Sequence, residues 1–112
     1  SLTSIEIPSS VTSIGDYAFY NCTSLKEVKM LEGCISIGDF AFYNCTSLTS
    51  IEIPSSVTSI GDYAFYNCTS LTTINFYGTF EQWNLIEKHA GWNCQVPITV
   101  VVHCTDGDVS IN

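Results

Sequence analysis

The chain is expected to wind into a solenoid of 23-residue units, with a parallel β-sheet on its concave side and an α-helix plus β-hairpin closing the C-terminal end. Three observations predict this. Segment 1–23 recurs without change as 47–69, segment 24–46 keeps about half of the same unit, and a fourth copy starts at Ser70 and diverges after Phe76. Equivalent positions stay apolar down the copies: Leu2, Leu25, Leu48 and Leu71; Ile5, Val28, Ile51 and Ile74; Ile7, Met30, Ile53 and Phe76; Val11, Cys34, Val57 and Phe80; Ile14, Ile37, Ile60 and Trp83. Such columns are needed because a short repeat buries its apolar face only against its neighbours. Finally, the pattern changes in the tail, so the repeats are assigned to 1–77 (1–23, 24–46, 47–69 and the start of a fourth at 70) and a cap to 78–112.

Within a unit, Ser4-Ile5-Glu6-Ile7 alternates polar and apolar residues with a period of two, the pattern of a half-buried strand. Pro8 ends it, since a proline holds the preceding residue extended and has no N–H for a ladder. Gly15 is expected to take a positive φ at the next corner, and Asp16 to cap one helical turn over 17–20. Ala18, Ala41 and Ala64, with Phe19, Phe42 and Phe65, form a second inward set across the coil.

The tail reads as a cap because a last repeat would otherwise expose an apolar face and an unpaired strand edge. Thr79 and Gln82 have the spacing of a capping box, which opens a helix with Phe80, Trp83 and Ile86 on one face and Gly91 just past its end. Segments 98–102 and 109–111, turning through Asp106-Gly107, read as a hairpin. Ser1 starts in register with a repeat, so the chain is expected to be a fragment with further repeats and an export signal upstream. The first unit, lacking a cover over Leu2, Ile5, Ile7, Val11, Ile14 and Phe19, is expected to self-associate or fray.

A formal charge of −8, from eleven acidic and three basic side chains, opposes nucleic acid and anionic lipid as partners. No run approaches the roughly 18 apolar residues of a membrane span, so membrane insertion is not expected. The low charged fraction, 12%, beside abundant Ser, Thr and Asn points to an extracellular surface.

The pattern Leu2-x-x-Ile5-x-Ile7-Pro8-x-x-Val11-x-x-Ile14-Gly15-x-x-Ala18-Phe19-x-x-Cys22-x-x-Leu25 resembles the leucine-rich repeat of the BspA-like family of bacterial surface proteins. The likeness covers Ser1 to about Phe76, and the tail from Gly78 to Gly107 is similar to the C-terminal end often seen in that family. It implies a curved leucine-rich-repeat solenoid, secretion or display on the cell surface, and adhesion to a host or matrix protein or glycan. It implies no catalytic residues.

Each group that could carry chemistry also has a structural role. Cys22, Cys45 and Cys68 stack with the period, and equivalent side chains in parallel register point the same way, which favours a buried reduced ladder over disulfides. Cys94 and Cys104 could close a short loop in the cap, but free thiols are favoured. Asp16, Asp39 and Asp62 form a column with one acid per coil, too few oxygens for calcium. His103, Cys104, Asp106 and Asp108 read as a strand end and turn, His89 as a favourable charge at the helix end. Asn21, Asn44 and Asn67 begin glycosylation sequons that a buried central Cys makes awkward. No metal, cofactor or catalytic constellation is expected.

Two surfaces remain as candidate binding sites. The outward residues of the sheet are Ser4, Glu6, Glu27, Lys29, Ser50, Glu52, Thr73 and Asn75, in which Glu6, Lys29 and Glu52 alternate in sign across adjacent strands. Tyr20, Tyr43 and Tyr66, with Tyr17, Phe40 and Tyr63, form an aromatic ladder that either binds a partner or stacks on itself. The expected function is a non-enzymatic binding or adhesion module; the alternative is a rigid spacer with no ligand of its own.

Overall fold

The computed structural model describes residues 3–97 and 99–110; Leu2, Ile98 and Ile111, to which the sequence assigns column and strand positions, lie outside the described residues. Each coil contributes one long and one short strand: β1 (Ser4–Ile7) and β2 (Ser13–Ile14), β3 (Glu27–Met30) and β4 (Ser36–Ile37), β5 (Ser50–Ile53) and β6 (Ser59–Ile60). The fourth coil has β7 (Thr73–Phe76), the helix α1 (Phe80–Leu85) and β8 (Glu87–Lys88), and β9 (Val101–Cys104) and β10 (Gly107–Ser110) follow. The long strands form one sheet in the order β1-β3-β5-β7-β9-β10, parallel except for the final antiparallel β9–β10 hairpin. The short strands form a second parallel sheet, β2-β4-β6-β8, in what the sequence showed only as a return segment.

Between the sheets lies the core. Leu25, Leu48 and Leu71, Val28, Ile51 and Ile74, and Met30, Ile53 and Phe76 are buried as columns, and Phe42 and Phe65 pack from the far side. In the first coil the equivalent Ile5, Val11, Phe19 and Cys22 are only partly buried. A side chain in a solenoid is enclosed by the coils above and below it, so burial falls where one neighbour is missing.

The corner after β2 differs from expectation in three respects. Gly15, Gly38 and Gly61 do not carry positive φ; the left-handed residues are Tyr17, Phe40 and Tyr63 (φ 60°, 58° and 52°) and Asn21, Asn44 and Asn67 (φ 62°, 62° and 63°). No helical turn forms over 17–20. Instead alternate amides serve different partners: Tyr17, Phe19 and Asn21 donate to Asp39, Ala41 and Tyr43 of the next coil, while Ala18, Tyr20 and Cys22 close successive turns within their own coil. This uses every second N–H to tie coils together, which one helical turn would not do. Thirdly, Asp16 does not cap its own coil; its Oδ1 accepts from Asp39 N of the next at 2.8 Å, and Asp39 repeats this with Asp62 N at 2.8 Å. A glycine at 38 or 61 is required by close approach, because a Cβ there would meet the backbone of the preceding coil at 2.6–2.7 Å.

The tail continues the winding. Thr73 pairs with Val101 and Ser59 with Glu87, a longer step along the chain than the one that joins Ser50 to Thr73 or Ser36 to Ser59. The added residues make α1, which stands where residues 54–58 stand one coil earlier. The capping box is present: Thr79 Oγ1 accepts from Gln82 N at 3.2 Å and Gln82 Oε1 from Thr79 N at 2.8 Å. Asp106, a turn residue in sequence, accepts from Phe80 N at 2.9 Å and docks the hairpin on the start of the helix. The helix ends at Leu85, before Gly91. Trp83 and Ile86 are buried as expected, whereas Phe80 is 45% exposed and so leaves both the helix's inner face and the Val11 column. Trp83 likewise leaves the Ile14 column, because Lys88 is the residue paired with Ile60. Gly91 (φ 68°) occupies the left-handed position of Tyr63, and Gln95 (φ 63°) that of Asn67, since Ala90, Trp92 and Cys94 carbonyls accept from Tyr63, Phe65 and Asn67. Trp92 and Trp83 meet edge to face at 5.9 Å and bridge Phe65 to Phe76, sealing the core.

Candidate functional site

Alternation along the long strands turns one set of side chains inward and the other out, so register alone assembles the outer face. Ser4, Glu27, Ser50 and Thr73 form one row and Glu6, Lys29, Glu52 and Asn75 the next. All eight residues anticipated from the sequence therefore lie on one surface. Ser4, Glu6, Glu27, Lys29, Ser50 and Glu52, with Ile5 and Val28, line a shallow trough of about 330 Å3.

Sequence reasoning missed two members. His103 pairs with Asn75 and Asp108 with His103, which extends the second row across all six strands. His103 Nδ1 lies 2.7 Å from Asp108 Oδ1 across the hairpin. In sequence this half-exposed histidine and its carboxylate neighbour look like turn chemistry, because the parallel docking of β9 on β7 has no local signal.

The alternating charges on this face do not form ion pairs. Among the described residues every ion pair involves histidine: His103 with Asp108, and His89 with Asp62 at 3.9 Å and Glu87 at 3.3 Å. Lys29 is thus an available donor. Glu52 Oε1 accepts instead from the Tyr77 hydroxyl at 2.8 Å, and that bond is the main reason the Tyr77 phenol is held above its usual pKa. His89 sits in the fourth coil, its amide bonded to Ile60 O, and not at the helix end as the sequence suggested.

On the other side of each coil the aromatic residues stack. Tyr20, Tyr43 and Tyr66 follow one another at 4.9 Å and within 9° of parallel; Tyr17 and Phe40 stack at 5.0 Å and 3°, and Phe40 and Tyr63 at 5.6 Å and 22°. Burial and the flanking Tyr66 and Tyr20 hydroxyls raise the Tyr43 pKa. Because the ring faces are turned on one another, edges and hydroxyls are what this surface presents. Beside it runs an asparagine ladder in which Asn67 Nδ2 donates to Asn44 Oδ1 at 2.6 Å and Asn44 Nδ2 to Asn21 Oδ1 at 2.5 Å.

All six cysteines are free thiols. Cys45 Sγ donates to Phe19 O and Cys68 Sγ to Phe42 O, both at 3.2 Å. Desolvation raises both pKa values, that of Cys45 to about 12. Cys22, expected to be buried with them, is only half-buried because it belongs to the first coil. Among the described residues no group of three His, Cys, Asp or Glu is placed to hold a metal ion, and no helix is long and apolar enough to cross a membrane.

Comparison with known proteins agrees with this architecture. The solved crystal structure of a T. pallidum leucine-rich-repeat protein (TpLRR) superposes with a TM-score of 0.65 at 24% identity, over 90% of this chain and 51% of that one, a likeness of fold. The chain spans about half the length of that structure. No curated protein matches. The family model described as the BspA type leucine-rich repeat region matches in six copies over residues 1–104, and the chain belongs to that family.

Proposed function

We propose that this chain is a non-enzymatic adhesion module of a secreted or cell-surface protein, and that it binds a protein partner through the outer face of its six-stranded sheet. Leucine-rich-repeat proteins commonly bind proteins, which supports the class of function. The observation that carries the choice of face is the continuous polar surface from Ser4 to Asp108, on which Lys29 and three nearby carboxylates, Glu6, Glu27 and Glu52, are free of ion pairs with one another. Unpaired charges on a rigid face are ready for a partner at little reorganisation cost, and net negative charge favours a basic protein surface over an acidic glycan. The tyrosine ladder is the weaker candidate, since stacking has consumed the ring faces that glycan or side-chain packing would use.

The test is binding to an immobilised panel of extracellular matrix proteins and glycans, with wild type beside a variant carrying Glu6→Ala, Lys29→Ala and Glu52→Ala. Selective binding to basic proteins that the triple variant loses, with Tyr20→Ala and Tyr66→Ala variants still binding, is expected. Binding that the triple variant retains would overturn the assignment of the face, and absence of any binding would favour a spacer.

A further inference from the structure

Between α1, β8 and the hairpin lies a cavity of about 400 Å3, lined by Phe80, Trp83, Asn84, Lys88, Trp92, Val109 and Ser110. Of these seven side chains only Ser110, at the hairpin end of the row that contains Thr73, reaches the sheet face, and none belongs to the tyrosine ladder. Its one charge is out of place for a solenoid. In the short sheet the positions equivalent to Lys88 are Ile14, Ile37 and Ile60, all buried, so coil packing does not call for a cation there. The chain has only three basic side chains, and Lys26 and Lys29 are exposed, which leaves Lys88 as the single partly buried one.

The surroundings of that ammonium are aromatic and neutral. Lys88 Nζ stands 4.6 Å from the centre of the Trp83 ring and donates to Trp83 O at 2.6 Å and Ile86 O at 3.4 Å, closing the end of α1. A lysine has three N–H donors, so one remains. Among the described residues no carboxylate pairs with it, although Glu87 is its neighbour in sequence; Glu87 faces His89. Desolvation lowers its pKa, as it must for a cation drawn from water without a counter-charge.

We propose that this cavity binds a small monocyclic aromatic carboxylate, its ring against Phe80, Trp83 and Trp92 and its carboxylate on Lys88. The walls suit a flat apolar ring, and the volume is within the range of small-molecule sites. A single remaining donor and a single positive charge match a monoanion; a dianion would stay half-neutralised in a chain of charge −8.

Benzoate is the probe and benzamide, the same shape without the charge, its control. Titration followed by tryptophan fluorescence should show saturable quenching by benzoate and binding about tenfold or more weaker for benzamide, the ratio a charge-assisted hydrogen bond provides. Lys88→Ile, which restores the residue of the column, should abolish the preference, while Lys88→Arg keeps it. In the wild-type protein benzoate should also protect Lys88, but not Lys26 or Lys29, from brief acetylation read by mass spectrometry, an outcome independent of any variant's folding. Equal binding of the two probes, no saturable quenching, or acetylation of Lys88 unaffected by benzoate would each overturn the proposal.

Discussion

Gly61→Ala is expected to destabilise the protein by about 3 kcal/mol while the same change at Gly15 does not, although the two residues stand in identical repeat units. The difference is steric. At Gly61 a Cβ would lie 2.6 Å from Asp39 N and 2.7 Å from Gly38 C, against the 3.4 Å at which ordinary contact begins. Both are backbone atoms, so relief requires the coils to part locally by about 0.8 Å. Parting them stretches Gly61 N to Ile37 O and Asp62 N to Asp39 Oδ1, each 2.8 Å, beyond bonding distance. Two hydrogen bonds at about 1 kcal/mol each and overpacking at about 1–3 kcal/mol give the estimate, allowing for partial relaxation. Gly15 has nothing within 4 Å of its Cβ position and no positive φ, so Gly15→Ala should be neutral or stabilise by about 0.4–1 kcal/mol through the unfolded chain. Urea denaturation of the two variants and wild type, with slopes compared, measures both. A Gly61→Ala loss below about 0.5 kcal/mol, no more than an unconstrained surface substitution causes, would falsify the close-approach account. Equal losses at both sites would return the glycine to a purely conformational role.

Two other expectations concern the ladders. Cys45 and Cys68 have folded pKa values raised above the unfolded value, so their stabilising contribution is complete below about pH 9 and is lost as pH rises towards the folded values. Between pH 8 and 10 the two together should cost roughly 3 kcal/mol, about 1.4 kcal/mol per thiol; denaturation at both pH values should show this, and a Cys45→Val, Cys68→Val variant should lose correspondingly less. Native-state labelling should modify exposed Cys94 first, half-buried Cys22 and Cys104 next, and Cys34, Cys45 and Cys68 only on unfolding, so rapid labelling of Cys45 would contradict its burial. Asn44→Ala should cost about 2 kcal/mol, because it removes both side-chain bonds of the ladder and places a Cβ residue at φ 62° without asparagine's tolerance for it; Asn44→Gly should lose less, and the reverse order in thermal melts would discount the backbone.

Repetition makes the winding legible in the sequence itself. An identical unit has to meet its neighbour in the same way each time, so Ser4–Ile7 and its copies had to pair in register and carry Glu6, Lys29, Glu52 and Asn75 onto one face. The capping box of Thr79 and Gln82 was equally plain, because its hydrogen bonds are local. Interactions between coils were not visible in the same way. A glycine that must be small against the coil before it looks like one that must turn, an aspartate that bonds the next coil looks like a helix cap, and Lys88 in an isoleucine column carries no mark of its place. Nor could the tail reveal that His103 and Asp108 complete the outer row, since that follows only once β9 lies parallel on β7, with α1 and β8 intervening in the chain. Local alternation determines which way a side chain faces, whereas its neighbour one coil away is decided by packing over long sequence separations, where single-residue preferences have no reach.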